Sequence, residues 1–190
     1  SSLCAVDHGK CVDTSMGITP LEGVIMGTRS GSMDPAVVEY ICNNEHLTVS
    51  EMLNICNKKS GLLGISGVSN DMRDVDNAAK AGNERAQLAR DMLVYGIRKY
   101  IGAYAAAMNG VDAIVFTAGI GENNYKLRED VMQGFEYMGA KLDVEKNAEL
   151  AWPNVHEAVI SAADSKVQIL VIPTNEEIAI ARDTLELVTK

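Results

Sequence analysis

The chain has 190 residues, of which 47% are hydrophobic and 23% charged, and its formal net charge is −9. That length supports one domain or two small ones with a proper core. The excess of acid argues against nucleic acid or an anionic membrane surface as a partner, because both demand clustered Lys and Arg. No apolar run is long enough to span a membrane, and no secretory leader opens the sequence. Cys4, Cys11, Cys42 and Cys56 show neither a CxxC pair nor a His at zinc-ligand spacing, so free thiols in a reducing cytoplasm are expected. The sequence starts at Ser1 rather than at Met, inside what reads as a strand, which is the expectation for a fragment.

In chain order, residues 3–6 and 11–14 are short β-favouring runs around Asp7-His8-Gly9-Lys10, a hairpin with a four-residue turn. Residues 12–35 are dense in glycine and hydroxyl side chains and hold a single base, Arg29. Such a stretch suits a backbone in unusual conformations with polar groups aimed at a ligand. Asp34-Pro35 starts a helix that Asn43-Asn44 ends, and Thr48 with Glu51 forms a capping box for a second helix reaching Lys58-Lys59. Residues 62–65 read as a short apolar strand or turn, and residues 66–74 as a polar loop. A long helix spans 84–109, with Ala89, Leu93, Ile97, Tyr100, Ile101, Tyr104 and Met108 on its apolar stripe and Gly110 as its stop. Residues 112–117 form a nearly continuous apolar strand leading into a glycine-bearing loop, 118–124, and a helix over 125–138. Two further strands fall at 158–161 and 167–172, and a second capping box, Thr174 with Glu177, opens the last helix. The class is α/β, in which ligands gather at the carboxyl ends of the strands.

Four features could carry chemistry. Arg29 suits a developing phosphoryl charge, with an exposed loop arginine as the equal alternative. Gly119-Ile120-Gly121 after a strand has the shape of a nucleotide contact, although a structural tight turn needs the same glycines. Arg73 beside Asp71 reads first as a surface ion pair and second as a guanidinium lying on an adenine. Glu176 and Glu177 suit a helix N-terminus without any function, or one of them could carry Mg²⁺ through water.

A resemblance bears on these alternatives. Val12-Asp13-Thr14-Ser15-Met16-Gly17, Thr19-Pro20-Leu21-Glu22-Gly23 and Met26-Gly27-Thr28-Arg29-Ser30-Gly31 resemble the signature of the acetate kinase family. So do Ser66-Gly67-Val68-Ser69-Asn70-Asp71-Met72-Arg73, Phe116-Thr117-Ala118-Gly119-Ile120-Gly121-Glu122-Asn123 and Ile172-Pro173-Thr174-Asn175-Glu176-Glu177. The resemblance implies an actin-like, ribonuclease-H-type α/β fold with a mixed sheet and helices on both sides. It implies reversible transfer of the γ-phosphoryl group of ATP to acetate, giving acetyl phosphate and ADP. By it, Arg29 stabilises the phosphoryl group in flight; Asp71, Met72 and Arg73 hold the adenosine; Gly119, Ile120, Gly121, Glu122 and Asn123 wrap the nucleotide; and Glu176 supports Mg²⁺ or Mn²⁺. Met72 departs from the aromatic expected there in many members. Residues 1–190 match the C-terminal nucleotide-binding domain, through which the family forms homodimers. The N-terminal domain and the phosphate loop that precedes the position of Ser1 are not in the sequence, so these residues alone are expected to lack turnover. A propionate or butyrate kinase, and a non-catalytic dimerisation domain, are the alternatives.

Overall fold

The structure is a computed structural model and describes residues 1–189. The chain divides into two compact units, Ser1–Gly110 and Val111–Lys190.

The first unit opens with an antiparallel hairpin, β1 (Cys4–Asp7) and β2 (Lys10–Thr14). The turn is tighter than the sequence suggests: Asp7 pairs with Lys10, and only His8 (φ 48°) and Gly9 (φ 76°) lie between them. Two positive φ values match the right-handed twist of the strands. After the glycine-rich stretch come α1 (Pro35–Glu45), α2 (Val49–Lys58), α3 (Gly61–Ser66), α4 (Met72–Lys80) and α5 (Glu84–Ala107). Asp34 caps α1 by accepting from Ala36 N–H, and Thr48 and Glu51 form the expected reciprocal box on α2.

At 24 residues α5 is about 36 Å long, and it is the surface on which the unit packs. Ala86, Ala89 and Leu93 of α5 are at most 1% exposed; Leu62 of α3 and Met72 and Val75 of α4 are also buried. The segment 62–65, expected as strand or turn, is the helix α3. Its glycines and β-branched Ile65 argue against helix locally, but burial overrides that weak preference. Arg85 of α5 then donates to the Gly64 and Ile65 carbonyls at 3.0 and 2.8 Å, closing the end of α3.

The second unit carries β3 (Ala113–Phe116), α6 (Ala118–Asn123), α7 (Tyr125–Met132), a 3-10 turn (Glu136–Met138), α8 (Val144–Glu149), β4 (Ala158–Val159), β5 (Gln168–Val171) and α9 (Glu176–Thr189). The sheet order is β3-β5-β4, with β3 parallel to β5 and β4 antiparallel to it. Burial alternates along β3, with Ile114 and Phe116 inside and Val115 47% exposed, so the strand buries one face rather than the two a continuous apolar run suggests. Residues 118–124 also differ from expectation. They form the short helix α6 instead of an open loop, entered through Ala118 at φ 57°. The helix expected over 125–138 stops at Met132, because Gly134 at φ 81° breaks it.

Candidate functional site

Arg29 lies in a turn that the backbone fixes from several sides. Met26 N–H bonds to Arg29 O at 3.1 Å and Ser30 N–H to Cys56 O at 2.9 Å. Leu62 and Leu63 N–H bond to Met26 O and Gly27 O at 2.8 and 2.9 Å. The Thr28 hydroxyl donates to Asn57 O at 2.9 Å. Gly61, at φ 59°, is what allows α3 to approach so closely: a Cβ there would run into Met26 O and lie 2.6 Å from Arg29 O. Gly27 plays the same part toward the polar loop, since its Cβ would be 2.8 Å from Asn70 O. The Arg29 turn and the loop that carries Asp71 are thus in contact.

The Arg29 side chain, by contrast, is hardly engaged. It is half-buried, its one recorded contact is a weak 3.9 Å approach of Nη1 to Met26 Sδ, and it forms no ion pair among the described residues. It faces a pocket of about 620 Å³ lined also by Lys58, Asn54, Asn57, Asn70, Thr28 and Ser1, with Met26 and Leu53 as apolar wall. Two cations, amide donors and no carboxylate make a receptacle for an anion.

Asp71 is the N-cap of α4. Its carboxylate accepts from Arg73 N–H at 2.8 Å and from the Arg73 guanidinium at 2.5 to 3.2 Å. The Arg73 hydrogen bonds hold the Asp71 carboxyl down to about 2. The Arg73 side chain is 86% exposed, so the pair contributes little to stability, while the faces of its guanidinium stay open. Met72, the residue between them and the third expected to hold the adenosine, is 7% exposed.

In the second unit the parallel register sets Phe116 beside Val171, so the segments leaving β3 and β5 emerge at the same edge. Glu122 joins them. Its carboxylate accepts from Thr174 N–H and from the Thr174 hydroxyl, both at 2.7 Å. Burial alone would raise the Glu122 carboxyl, but these bonds, with one from Ala118 N–H, outweigh it and hold the group below its usual range. This corrects the expected Thr174–Glu177 box. Thr174 is engaged by Glu122, and Asn175 Oδ1 accepts from Ile178 N–H at 3.0 Å instead.

Gly119 answers a question that the sequence left open. A Cβ there would meet no heavy atom within 4 Å, and its φ is not in the left-handed region, so the fold does not demand glycine at that position. Gly121 is buried, with Phe116 at ordinary contact distance from a hypothetical Cβ. The Ile120 carbonyl accepts from Asn124 N–H, and the Asn123 amide closes the turn by donating to Gly119 O at 2.7 Å.

Arg128 is the residue that sequence reasoning missed. It is fully buried, and its guanidinium donates to Gly121 O at 2.9 Å, Glu122 O at 2.5 Å, Asn147 Oδ1 at 2.7 Å, Asn147 O at 3.2 Å and Leu150 O at 3.4 Å. Burial lowers its pKa to about 10, so it remains a cation. Arg128 thereby ties the end of α6 to α8. The signal was available: Arg128 lies between Leu127 and Val131 on the apolar stripe of α7.

Glu176 and Glu177 are exposed in the first turn of α9. Among the described residues no group of three or more His, Cys, Asp or Glu side chains is placed to hold a metal ion. What the segment offers a hard cation is one or two carboxylates, which fits Mg²⁺ when phosphate and water oxygens fill the remaining positions.

The acetokinase family model matches residues 1–182. The acetate kinase of Acetivibrio thermocellus is 57% identical over 188 residues, covering 99% of this chain and 46% of that protein. The acetate kinase of Treponema denticola is 58% identical over the same length, with the same coverage. Among solved structures, Porphyromonas gingivalis acetate kinase superposes with a TM-score of 0.93 at 49% identity, over 98% of this chain and 46% of that one. A propionate kinase from Francisella tularensis superposes with a TM-score of 0.86 at 43% identity, over 95% of this chain and 45% of that one. The chain spans about half the length of the curated relatives it matches.

Proposed function

The chain belongs to the acetokinase family and has its actin-like α/β fold, and from that premise we propose that it is the nucleotide-binding half of an ATP:acetate phosphotransferase. The observation that carries the reading is the Arg29 guanidinium: half-buried, fixed by its backbone, facing a pocket with a second cation and unpaired with any carboxylate among the described residues. In phosphoryl transfer the protein chiefly positions the reactants and stabilises charge on the transferring group, and a fixed planar guanidinium suits that task.

The remaining roles follow the same division. Arg73, held by Asp71, offers an open planar face to a base, and Met72 supports the segment from below. Gly119 leaves backbone bare where packing does not require it, which suits close approach by a nucleotide, with Ile120, Gly121, Glu122 and Asn123 forming the rest of that wall. Glu176 would hold Mg²⁺ through water, and the ion would neutralise charge between phosphates. Acetate, propionate and butyrate all remain candidate acceptors. A propionate kinase is among the structural relatives, and the Arg29 pocket has only Met26 and Leu53 as apolar wall with which to sort acyl chains.

Leu88, Met92 and Tyr95 form an exposed apolar stripe on α5 at i, i+4 and i+7, which supports homodimerisation through this region. No helix among the described residues is long and apolar enough to cross a membrane; the cytoplasmic location is proposed with the activity. These residues alone are proposed to bind nucleotide without turning it over. The test is calorimetric titration of Mg-ADP together with acetyl phosphate assays, run on these residues alone, where product would overturn the absence of turnover, and on the protein at the full length of its relatives. ATP-dependent acetyl phosphate formation at that length, with binding heat that Arg73→Ala abolishes, supports the reading. Neither heat nor product overturns it and leaves a scaffold.

A further inference from the structure

The thiols of Cys4 and Cys11 face each other across the β1–β2 hairpin with Sγ atoms 3.1 Å apart. That is inside the usual ~3.5–4.0 Å spacing of non-bonded heavy atoms and roughly 1 Å beyond a sulfur–sulfur bond. The register explains how they meet. Ala5 pairs with Asp13 but Val6 with Cys11, so Val12 is an extra residue, and the bulge sets both cysteines on one face of the ribbon. Both are exposed, whereas Cys56 is buried, and neither Cys42 nor Cys56 has a sulfur neighbour recorded among the described residues. The hairpin is independently pinned beside Cys4: Leu3 N–H bonds to Ser15 Oγ and Ser15 N–H to Leu3 O, each at 2.9 Å. The strand pairing beside Cys4 is therefore held by bonds that involve neither sulfur.

We propose that Cys4 and Cys11 are a reversible thiol–disulfide pair, converted by a peroxide-class oxidant into an intramolecular disulfide across the hairpin. The Cys4 S–H donates to Cys11 Sγ, and this bond, followed by burial and the nearby Cys11 and Asp13 charges, raises the Cys4 thiol above its usual range. Cys11, the acceptor of that bond, is the sulfur assigned the first attack. Its thiolate takes one peroxide oxygen as the O–O bond breaks and hydroxide leaves, giving a sulfenic acid. Cys4 then attacks that sulfur as its own proton departs; the S–O bond breaks, water leaves and the S–S bond forms. Two electrons pass from the two thiols to one peroxide, giving two waters, and a dithiol reverses the change.

The experiment treats the reduced protein with one equivalent of hydrogen peroxide, quenches with N-ethylmaleimide, and follows intact mass and tryptic peptides. The expected result is a species about 2 Da lighter before alkylation, in which neither Cys4 nor Cys11 takes up maleimide, while Cys42 and Cys56 both do so once the protein is denatured. Its peptides carrying Cys4 and Cys11 are linked, and dithiothreitol separates them. Cys42→Ser should keep the link, and Cys4→Ser should lose it while Cys11 becomes trappable as a sulfenic acid. Alkylation of Cys4 and Cys11 after oxidation, a link to Cys42 or Cys56, or bridged pairs of molecules in place of the internal link would each overturn the proposal.

Discussion

Two arginines, one in each unit, put the same chemical group to opposite uses. Arg128 is fully buried and its guanidinium is met by backbone and amide oxygens of Gly121, Glu122, Asn147 and Leu150. Arg29 is half-buried with its backbone fixed, yet its guanidinium has only a distant sulfur. A cation whose donors are answered by the protein is part of the framework, because removing it orphans the acceptors. A cation held in place and left unanswered is available to an anion from outside. The fold thus invests in the position of Arg29 rather than in its interactions.

The contrast is broken most severely at Arg128. Arg128→Met removes the donors for several buried carbonyls and should cost about 3 kcal/mol in urea unfolding, whereas Arg29→Met should change stability by under about 0.5 kcal/mol. Equal losses would mean that Arg29 too is a framework residue. A smaller effect is expected at Gly61. Its φ of 59° and the closeness of the Met26 and Arg29 carbonyls make Gly61→Ala destabilising by about 1–3 kcal/mol. Because that change pushes on the turn itself, activity should fall further than stability alone explains, as a side-by-side assay and unfolding curve will test.

The smallest effect concerns pH in the second unit. The Glu122 carboxyl titrates below its ordinary value of 4.5 in the folded protein. Its contribution is therefore fully present above that pH and is lost as pH falls through the lower folded value. After allowance for solvent screening the contribution is under about 1 kcal/mol. Thr174→Val should flatten the acid limb of the stability profile below pH 4.5, where Glu122 titrates, and leave stability near neutrality lowered by a similar small amount.

Local chemistry was enough to read the hairpin, the Asp34 cap, the Thr48–Glu51 box and the long helix α5, since each is decided by residues within a few positions of one another. Arg29 was legible as the only base in its stretch, although its freedom from a partner was not. What escaped were the features decided at a distance. Helix α3 exists because α5 covers it and Arg85 closes it. Thr174 leaves its neighbour Glu177 for Glu122, which is 52 positions away. Met72 is buried although it stands between two polar residues, Asp71 and Arg73. Arg128 went unread because its oxygen partners are main-chain carbonyls and the side chain of Asn147, which is 19 positions away, and a sequence displays neither.

The central claim, that the fold holds Arg29 for a charge that develops only during phosphoryl transfer, is tested most directly by the steady-state kinetics of Arg29→Ala in the protein at the full length of its relatives. The account predicts a fall in kcat of about 10³-fold or more, with KM for nucleotide moving by less than about tenfold and the unfolding midpoint unchanged. A kcat within about tenfold of the parent, or a loss carried wholly by KM, would contradict it.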